Sequence, residues 1–219
     1  MDEVLVGYRV GALGMGQAGE GAGVKAAALT LDKRQIGAAA SKPGEGAGVK
    51  AAALTLDKRQ IGAAASKLVS ASVGEIVVVF SRSPAHKHYS LADVEWMILP
   101  AVFRSQFYVA EAANAETGFR APIAVATWAL VSDEVDQRLA SDLSHRVRLR
   151  PDEWKSGEVG WIVDLVGDRR GIAGAVEWLK AGPFKERTAK IVVRDAKGAT
   201  RVETLERLAS AVAAKETTV

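Results

Sequence analysis

Two of the chain's three histidines, His86 and His88, fall within the nine residues Ser81-Arg82-Ser83-Pro84-Ala85-His86-Lys87-His88-Tyr89. An imidazole titrates near neutral pH, so a histidine held by a Ser-Pro turn at the start of a helix is suited to take a proton from a reacting group. Composition alone fits an exposed loop histidine without a role at least as well. A second candidate is Asp164, in Trp161-Ile162-Val163-Asp164-Leu165-Val166-Gly167-Asp168. A carboxylate inside an apolar strand is costly unless it is paired or hydrogen-bonded. Strand alternation puts Trp161 and Val163 on one face, Ile162 and Asp164 on the other. A structural carboxylate bonded to backbone is the competing reading. Gly14, Gly16 and Gly19 complete a GxGxxG pattern after the strand-like run Val4–Val10. A dinucleotide site would also need a second strand and an acidic residue about 20 positions on, and an Ala/Lys-rich stretch follows instead. A glycine-rich leader is the better reading.

The elements that must position these groups follow from periodicity. Leu91, Val94, Ile98 and Ala101 recur at helical spacing, with Pro100 expected to kink or end the element. Gln106–Glu111 and Ile123–Val131 are rich in β-formers and flank the polar stretch Ala113–Arg120, which predicts an antiparallel hairpin. Asp133–Leu143 is expected to be helical with Ser132 as N-cap. Val159–Val166 reads as a strand, followed by Gly167-Asp168 and a helix to about Lys180. Lys190–Asp195 and Ala199–Glu203 read as a second hairpin. The chain ends in an amphipathic helix carrying Leu205, Leu208 and Val212. Strand pairs alternating with helices in this order predict an α+β fold with a mixed sheet.

Upstream, Gly19–Lys42 reads GEGAGVKAAALTLDKRQIGAAASK and is repeated letter for letter by Gly44–Lys67, with Pro43 between. Solenoids need at least three stacked units, so two identical copies read as a tandem duplication. Each copy is expected to form a helix, over Val24–Ser41 and Val49–Ser66, folded back around Pro43-Gly44. The expected division is an N-terminal arm over residues 1–67 and a folded domain over 68–219. All five tryptophans lie in the latter.

Composition narrows the classes. The chain has 219 residues, of which 48% are hydrophobic and 25% charged, as in ordinary globular domains. No contiguous apolar run reaches the roughly 20 residues that span a bilayer, so no transmembrane segment is expected. The start, Met1-Asp2-Glu3, is acidic where a secretory signal would be basic, and the expected location is the cytoplasm. There are no cysteines, which excludes disulfides, thiolate metal sites and a cysteine nucleophile. Residues 1–67 hold 9 Lys/Arg against 6 Asp/Glu and residues 68–219 hold 20 against 20. A neutral domain with a mildly basic arm does not predict nucleic-acid binding.

Taken in order, Ser83-Pro84-x-His86, Leu99-Pro100-Ala101, Gln106, Thr127-Trp128-Ala129, Trp154-x-Ser156-Gly157, Trp161-x-x-Asp164 and Gly167-Asp168 resemble the toxin-activating lysine acyltransferases encoded beside repeat-in-toxin (RTX) exoproteins. The resemblance runs from about residue 70 to the C-terminal helix and leaves the duplicated arm without a counterpart. It implies a GNAT-like fold, a mixed sheet flanked by helices. It also implies transfer of a fatty acyl group from acyl-acyl carrier protein to internal lysines of an RTX-type protoxin, with no metal and no tightly bound cofactor. By the same resemblance His86 is the catalytic histidine, Asp164 the catalytic aspartate, and Ser83 a supporting residue. The implied partners are the carrier protein and the protoxin; a homodimer stays open.

That chemistry is coherent. A lysine ammonium, with a pKa near 10.4, attacks a thioester only after losing a proton. His86 could remove it, Asp164 could orient the imidazole, and backbone amides near Gly167–Gly171 could face the developing oxyanion. GNAT enzymes carry Gln/Arg-x-x-Gly-x-Gly/Ala where coenzyme A pyrophosphate binds; here the run is Asp168-Arg169-Arg170-Gly171-Ile172-Ala173. The leading aspartate disfavours a pyrophosphate and fits a carrier-protein arm with one phosphate, with Arg169, Arg170 and Gly171 as donor-binding candidates. An ordinary helix cap at Asp168 explains the same residue. Two alternatives remain: a non-catalytic adaptor on the same fold, and a small-amine N-acetyltransferase using acetyl-CoA.

Overall fold

In the computed structural model the backbone is described for residues 4–10, 58–143, 147–195 and 197–216, and side chains within 62–143, 147–195 and 197–214. The Gly14/Gly16/Gly19 loop, the helix expected over Val24–Ser41 and the turn at Pro43-Gly44 lie outside the described residues, as does the helix expected over Val49–Ser66 up to Lys58.

Six strands form one sheet in chain order: β1 (Val4–Val10), β2 (Phe107–Asn114), β3 (Arg120–Val131), β4 (Val159–Gly167), β5 (Ala189–Arg194) and β6 (Thr200–Thr204). Every neighbouring pair is antiparallel except β4 and β5. A parallel neighbour cannot be reached by a tight turn, and the chain crosses over through α5 (Arg169–Ala181). The remaining helices are α1 (Lys58–Arg82), α2 (Val94–Met97), α3 (Leu99–Phe103), α4 (Asp133–Ser141) and α6 (Leu205–Glu216). The fold is α+β, with both expected hairpins in place as β2–β3 and β5–β6.

Alternation along the strands builds two cores. Phe107 and Val109 of β2, with Val125, Ala129 and Val131 of β3, face one layer; Tyr108 and Ala110, with Ala124, Ala126 and Trp128, face the other. The first layer is covered by Ile76, Val79 and Phe80 of α1, Met97 of α2, Ala101 and Val102 of α3 and Val135 and Leu139 of α4. The second is covered by Ala175, Val176 and Leu179 of α5 and Leu205 and Ala209 of α6. Trp154 and Trp161 are fully buried in the first layer, and burial of side chains this large contributes roughly 2–3 kcal/mol apiece.

Lys67–Val219 and the strand Val4–Val10, which pairs along β2, belong to one compact unit. Helix α1 runs without a break to Arg82. Other expectations change. Within α1, Gly62–Arg82 has a mean hydropathy of 1.6 and is long and apolar enough, by length and composition, to cross a bilayer. No contiguous apolar run reveals this, because alanines and valines interspersed with Ser and Gly raise the average. A core helix passes the same test, and the face carrying Ile76, Val79 and Phe80 packs on the sheet. The element expected to kink or end at Pro100 is broken there, into α2 and α3. Pro100 occupies the first turn of α3, where its missing N–H costs nothing, and the break falls between α2 and α3 at Ile98.

Candidate active site

The helix α1 stops where its sequence says it must. The residue before a proline is pushed out of helical conformation, and Ser83 precedes Pro84. The Ser83 carbonyl then accepts the amides of His86 and Lys87, both at 2.9 Å, which closes a turn. His86 therefore sits in a turn after a helix, not at the start of one as expected, because the next helical residues begin only at Leu91. The turn delivers the imidazole against Phe80 of the last turn of α1, with ring centroids 4.3 Å apart. His86 is buried and His88 is exposed.

Asp164 reaches the same place through a defect in the sheet. The β3–β4 register shifts between Thr127 and Trp128: Trp128 pairs with Ile162, but Thr127 pairs with Asp164, leaving Val163 as an extra residue. Such a bulge re-aims the following side chain. Asp164 consequently shares a face with Thr127, between the positions of Val125 and Ala129, and looks toward the α1 layer. Simple alternation had placed it on the face of Ile162; the inserted residue reverses that assignment.

The three groups form one chain of hydrogen bonds. His86 Nε2 lies 2.8 Å from Asp164 Oδ1, and Ser83 Oγ lies 2.8 Å from His86 Nδ1. An ionised carboxylate can only accept, so Nε2–H donates to Asp164; in the neutral imidazole Nδ1 is then the acceptor of the Ser83 hydroxyl. The two side chains of the His–Asp pair are 4% and 10% exposed, so water screens them little.

Beside this chain lies a cavity of about 580 Å³ into which His86 and Ser83 face. Its walls are mostly apolar, with Val79 from α1, Ile123 from β3, Leu165 and Val166 from β4 and Ile172 from α5. Arg82 and Asp168 supply its charged lining. Arg82 also donates to the carbonyl of Pro122 at 3.2 Å. Sequence reasoning passed over Arg82, although a cation directly before the Ser-Pro turn was the available signal.

The donor-binding candidates divide. Arg169 and Arg170 are exposed on the first turn of α5, outside the residues lining the cavity. Gly171 is buried, and its N–H donates to Asp168 Oδ1 at 2.7 Å, so Asp168 is the N-cap of α5. The amides of Asp168 and Ile172 are spent on the carbonyls of Ile123 and Asp168. Of the amides proposed to face an oxyanion, those of Asp168 and Gly171 are thus engaged, while those of Arg169 and Arg170 are first-turn N–H groups that no helix carbonyl can satisfy. The glycines here are forced by space. A Cβ on Gly171 would lie 2.6 Å from that of Ala124; one on Gly167, where φ is +144°, would lie 2.3 Å from Ala124.

Other motif residues frame the site. Gln106 donates through Nε2 to the Trp154 carbonyl at 3.0 Å, and Ser156 Oγ accepts the Ser132 amide at 2.9 Å. These bonds pin the segment before β4 to the residue ahead of β2 and to the residue that follows β3. Asp93 is held below the ordinary carboxylate range chiefly by the Trp96 indole N–H, then by the Ser90 amide and hydroxyl. It fixes the corner that follows the histidine turn. Among the described residues no group of three or more His, Asp or Glu side chains converges as a metal set.

Comparison with known proteins places the chain in a family. Over 98 residues the chain is 28% identical to the lysine-acyltransferase RtxC of Vibrio cholerae serotype O1, covering 45% of this chain and 59% of that protein. It is 28% identical over 94 residues to the RTX-II toxin-activating lysine-acyltransferase ApxIIC of Actinobacillus pleuropneumoniae, covering 43% and 53%. It is 30% identical over 94 residues to the leukotoxin-activating lysine-acyltransferase LktC of a Pasteurella haemolytica-like species, covering 43% and 52%. The chain thus spans little more than half the length of the curated relatives it matches. The model of the HlyC family, described as the RTX toxin acyltransferase family, matches residues 66–206, well over half of the chain and all of its hydrogen-bonded Ser–His–Asp site; the chain belongs to this family.

Proposed function

We propose that this chain is a protein-lysine acyltransferase that moves a fatty acyl group from acyl-acyl carrier protein to internal lysines of an RTX-type protoxin, in the cytoplasm. The observation that carries the reading is the Ser83–His86–Asp164 hydrogen-bond chain facing an apolar cavity of about 580 Å³. The parallel β4–β5 pair joined through α5 supports the GNAT-like reading of the fold. Family membership supports the acceptor, a protoxin lysine.

The proton path follows from the tautomer. With Nε2–H committed to Asp164, the base is Nδ1, and the group in front of it is the Ser83 hydroxyl. The lysine arrives as the free amine, its ammonium proton already lost to solvent. As its nitrogen bonds to the thioester carbon, the remaining N–H proton to be shed passes to Nδ1, through Ser83 Oγ or by displacing it; the C–S bond breaks, and the carrier thiolate takes that proton back from the imidazolium. Asp164 stabilises that imidazolium without itself being protonated. The acyl chain occupies the apolar cavity, while the first-turn amides of α5 face the developing oxyanion. Asp168, spent as a helix cap beside the cavity, disfavours a pyrophosphate there and supports a carrier-protein donor over coenzyme A. Arg82, Arg169 and Arg170 give an acidic carrier a cationic surface.

The test is intact-mass analysis of protoxin incubated with purified enzyme and either acyl-acyl carrier protein or acyl-CoA. We expect one acyl mass increment per modified lysine, a marked preference for the carrier, and a rate that falls as salt rises. Loss of all product in His86→Ala, with the fold intact, completes the expectation. Equal use of acetyl-CoA, or normal activity in His86→Ala, would overturn the reading.

A further inference from the structure

We propose that Thr127 is a positioning residue for Asp164, supplying a hydrogen bond to its carboxylate when His86 carries the extra proton. The inference starts from an anomaly. Thr127 is fully buried, and its hydroxyl has no hydrogen-bond partner among the described residues. Along β3 and toward β2 its neighbours on that face are apolar: Val125 and Ala129 precede and follow it at strand spacing, and Phe107 of β2 pairs with it. A valine would have the same shape without a buried polar atom to satisfy. Strand propensity therefore does not explain the hydroxyl, since valine is at least as good a strand former.

The bulge supplies the explanation. It places Asp164 directly opposite Thr127 on the same face of β3–β4. Cβ atoms of directly opposed antiparallel residues stand about 4.5–5.5 Å apart, within reach of a short hydroxyl and a carboxylate after one χ1 turn. Asp164 uses Oδ1 for His86, and a carboxylate offers about four acceptor positions, so the bond to the imidazole does not exhaust it. A charge-assisted bond forms most strongly when the His–Asp pair is fully ionised, which is the state that follows proton abstraction. Thr127 touches neither substrate nor the reacting atoms; it acts through Asp164.

The test compares the parent with Thr127→Val and Thr127→Ser by two readouts, and its kinetic arm rests on the acyltransferase reading while its spectroscopic arm does not. The first readout is the chemical shift and tautomer of the His86 ring nitrogens in 15N-labelled protein, assigned by their disappearance in His86→Ala. The second is kcat and KM for acyl transfer. We expect Thr127→Val to shift the His86 Nε2 resonance and to lower kcat roughly tenfold with KM within about twofold, while melting no lower than the parent. Thr127→Ser should restore both signals. If Thr127→Val fails to fold, Thr127→Ala carries the same comparison. His86 resonances that do not move on removal of the hydroxyl would overturn the proposal whatever the kinetics, as would a serine variant as impaired as the valine variant. Resonances that move in a protein without acyl transfer would keep the Thr127–Asp164 coupling and sink the acyltransferase reading instead.

Discussion

The sharpest consequence of the geometry is the behaviour of Asp164→Asn. Asparagine matches aspartate in shape, so packing at the bulge is unchanged and the variant should fold. What it removes is charge. The Nε2–Oδ1 separation of 2.8 Å and side-chain exposures of 4% and 10% place the pair where screening is weak. Opposite unit charges about 4 Å apart at an effective dielectric near 20 attract by about 4 kcal/mol. That attraction exists only once His86 is protonated, so it lowers the barrier rather than the ground state. At 1.36 kcal/mol per decade its loss slows the chemical step by about three decades. A second effect runs the same way. The asparagine amide can donate to Nε2, which would move the ring proton to Nδ1 and leave that nitrogen unable to accept from Ser83 or from the amine. The assay is single-turnover acylation of protoxin followed by intact mass, with near-ultraviolet circular dichroism confirming the fold. A folded Asp164→Asn variant that reacts within tenfold of the parent would refute the claim that the carboxylate supports a protonated imidazole.

Three further perturbations test the frame around the pair. Gly167→Ala puts a Cβ 2.3 Å from Ala124 at a φ of +144°, so it should cost about 2–5 kcal/mol, read as a lower midpoint in urea unfolding. Ile172→Trp fills the apolar cavity, and should reduce the rate with long acyl chains at least tenfold while sparing short ones; an unchanged chain-length profile would move the acyl site elsewhere. Asp93→Asn tests the acid side of stability. Its carboxyl is depressed below the ordinary 3.8 by Trp96 and then Ser90, so its contribution is present above that value and is lost as the pH falls through the lowered folded value. The parent should therefore exceed the variant in urea midpoint at pH 7, and the gap should shrink toward pH 3.

Much of this site was legible because its parts are local. The Ser-Pro turn after α1, the Ser132 cap, whose Oγ accepts the Val135 amide, and the Asp168 cap each depend on residues within three or four positions. The hairpins β2–β3 and β5–β6 announce themselves by β-formers flanking polar stretches. The extent of α1 was not legible, because Leu68–Phe80 mixes Ser, Gly and Glu75 among its valines and reads as neither a clean strand nor an amphipathic helix. Its inward face exists only because the sheet is there to receive Ile76, Val79 and Phe80. Arg82 was passed over for the same reason: its place in the cavity wall depends on Ile123, Leu165 and Ile172, drawn from three other elements.

The face of Asp164 is the most instructive case, since periodicity gave a definite assignment and the sheet reversed it. Trp161 and Ile162 obey alternation, pairing with Ala129 and Trp128. From Asp164 onward alternation also holds, with Leu165 and Val166 opposite Ala126 and Val125. Only Val163 is unopposed, so a single inserted residue carries the carboxylate from the α5 layer to the α1 layer, where His86 waits. No residue in the strand marks the insertion: Val163 is an ordinary strand former, without the glycine that often flags a bulge. The clue available in the sequence was energetic. An aspartate on the face of Ile162 would have lain among the apolar side chains of α5 and α6, whereas the opposite face offered an imidazole. Requiring each ionisable residue in a strand to have a partner before accepting its alternation would have predicted the bulge from His86 and Asp164 together.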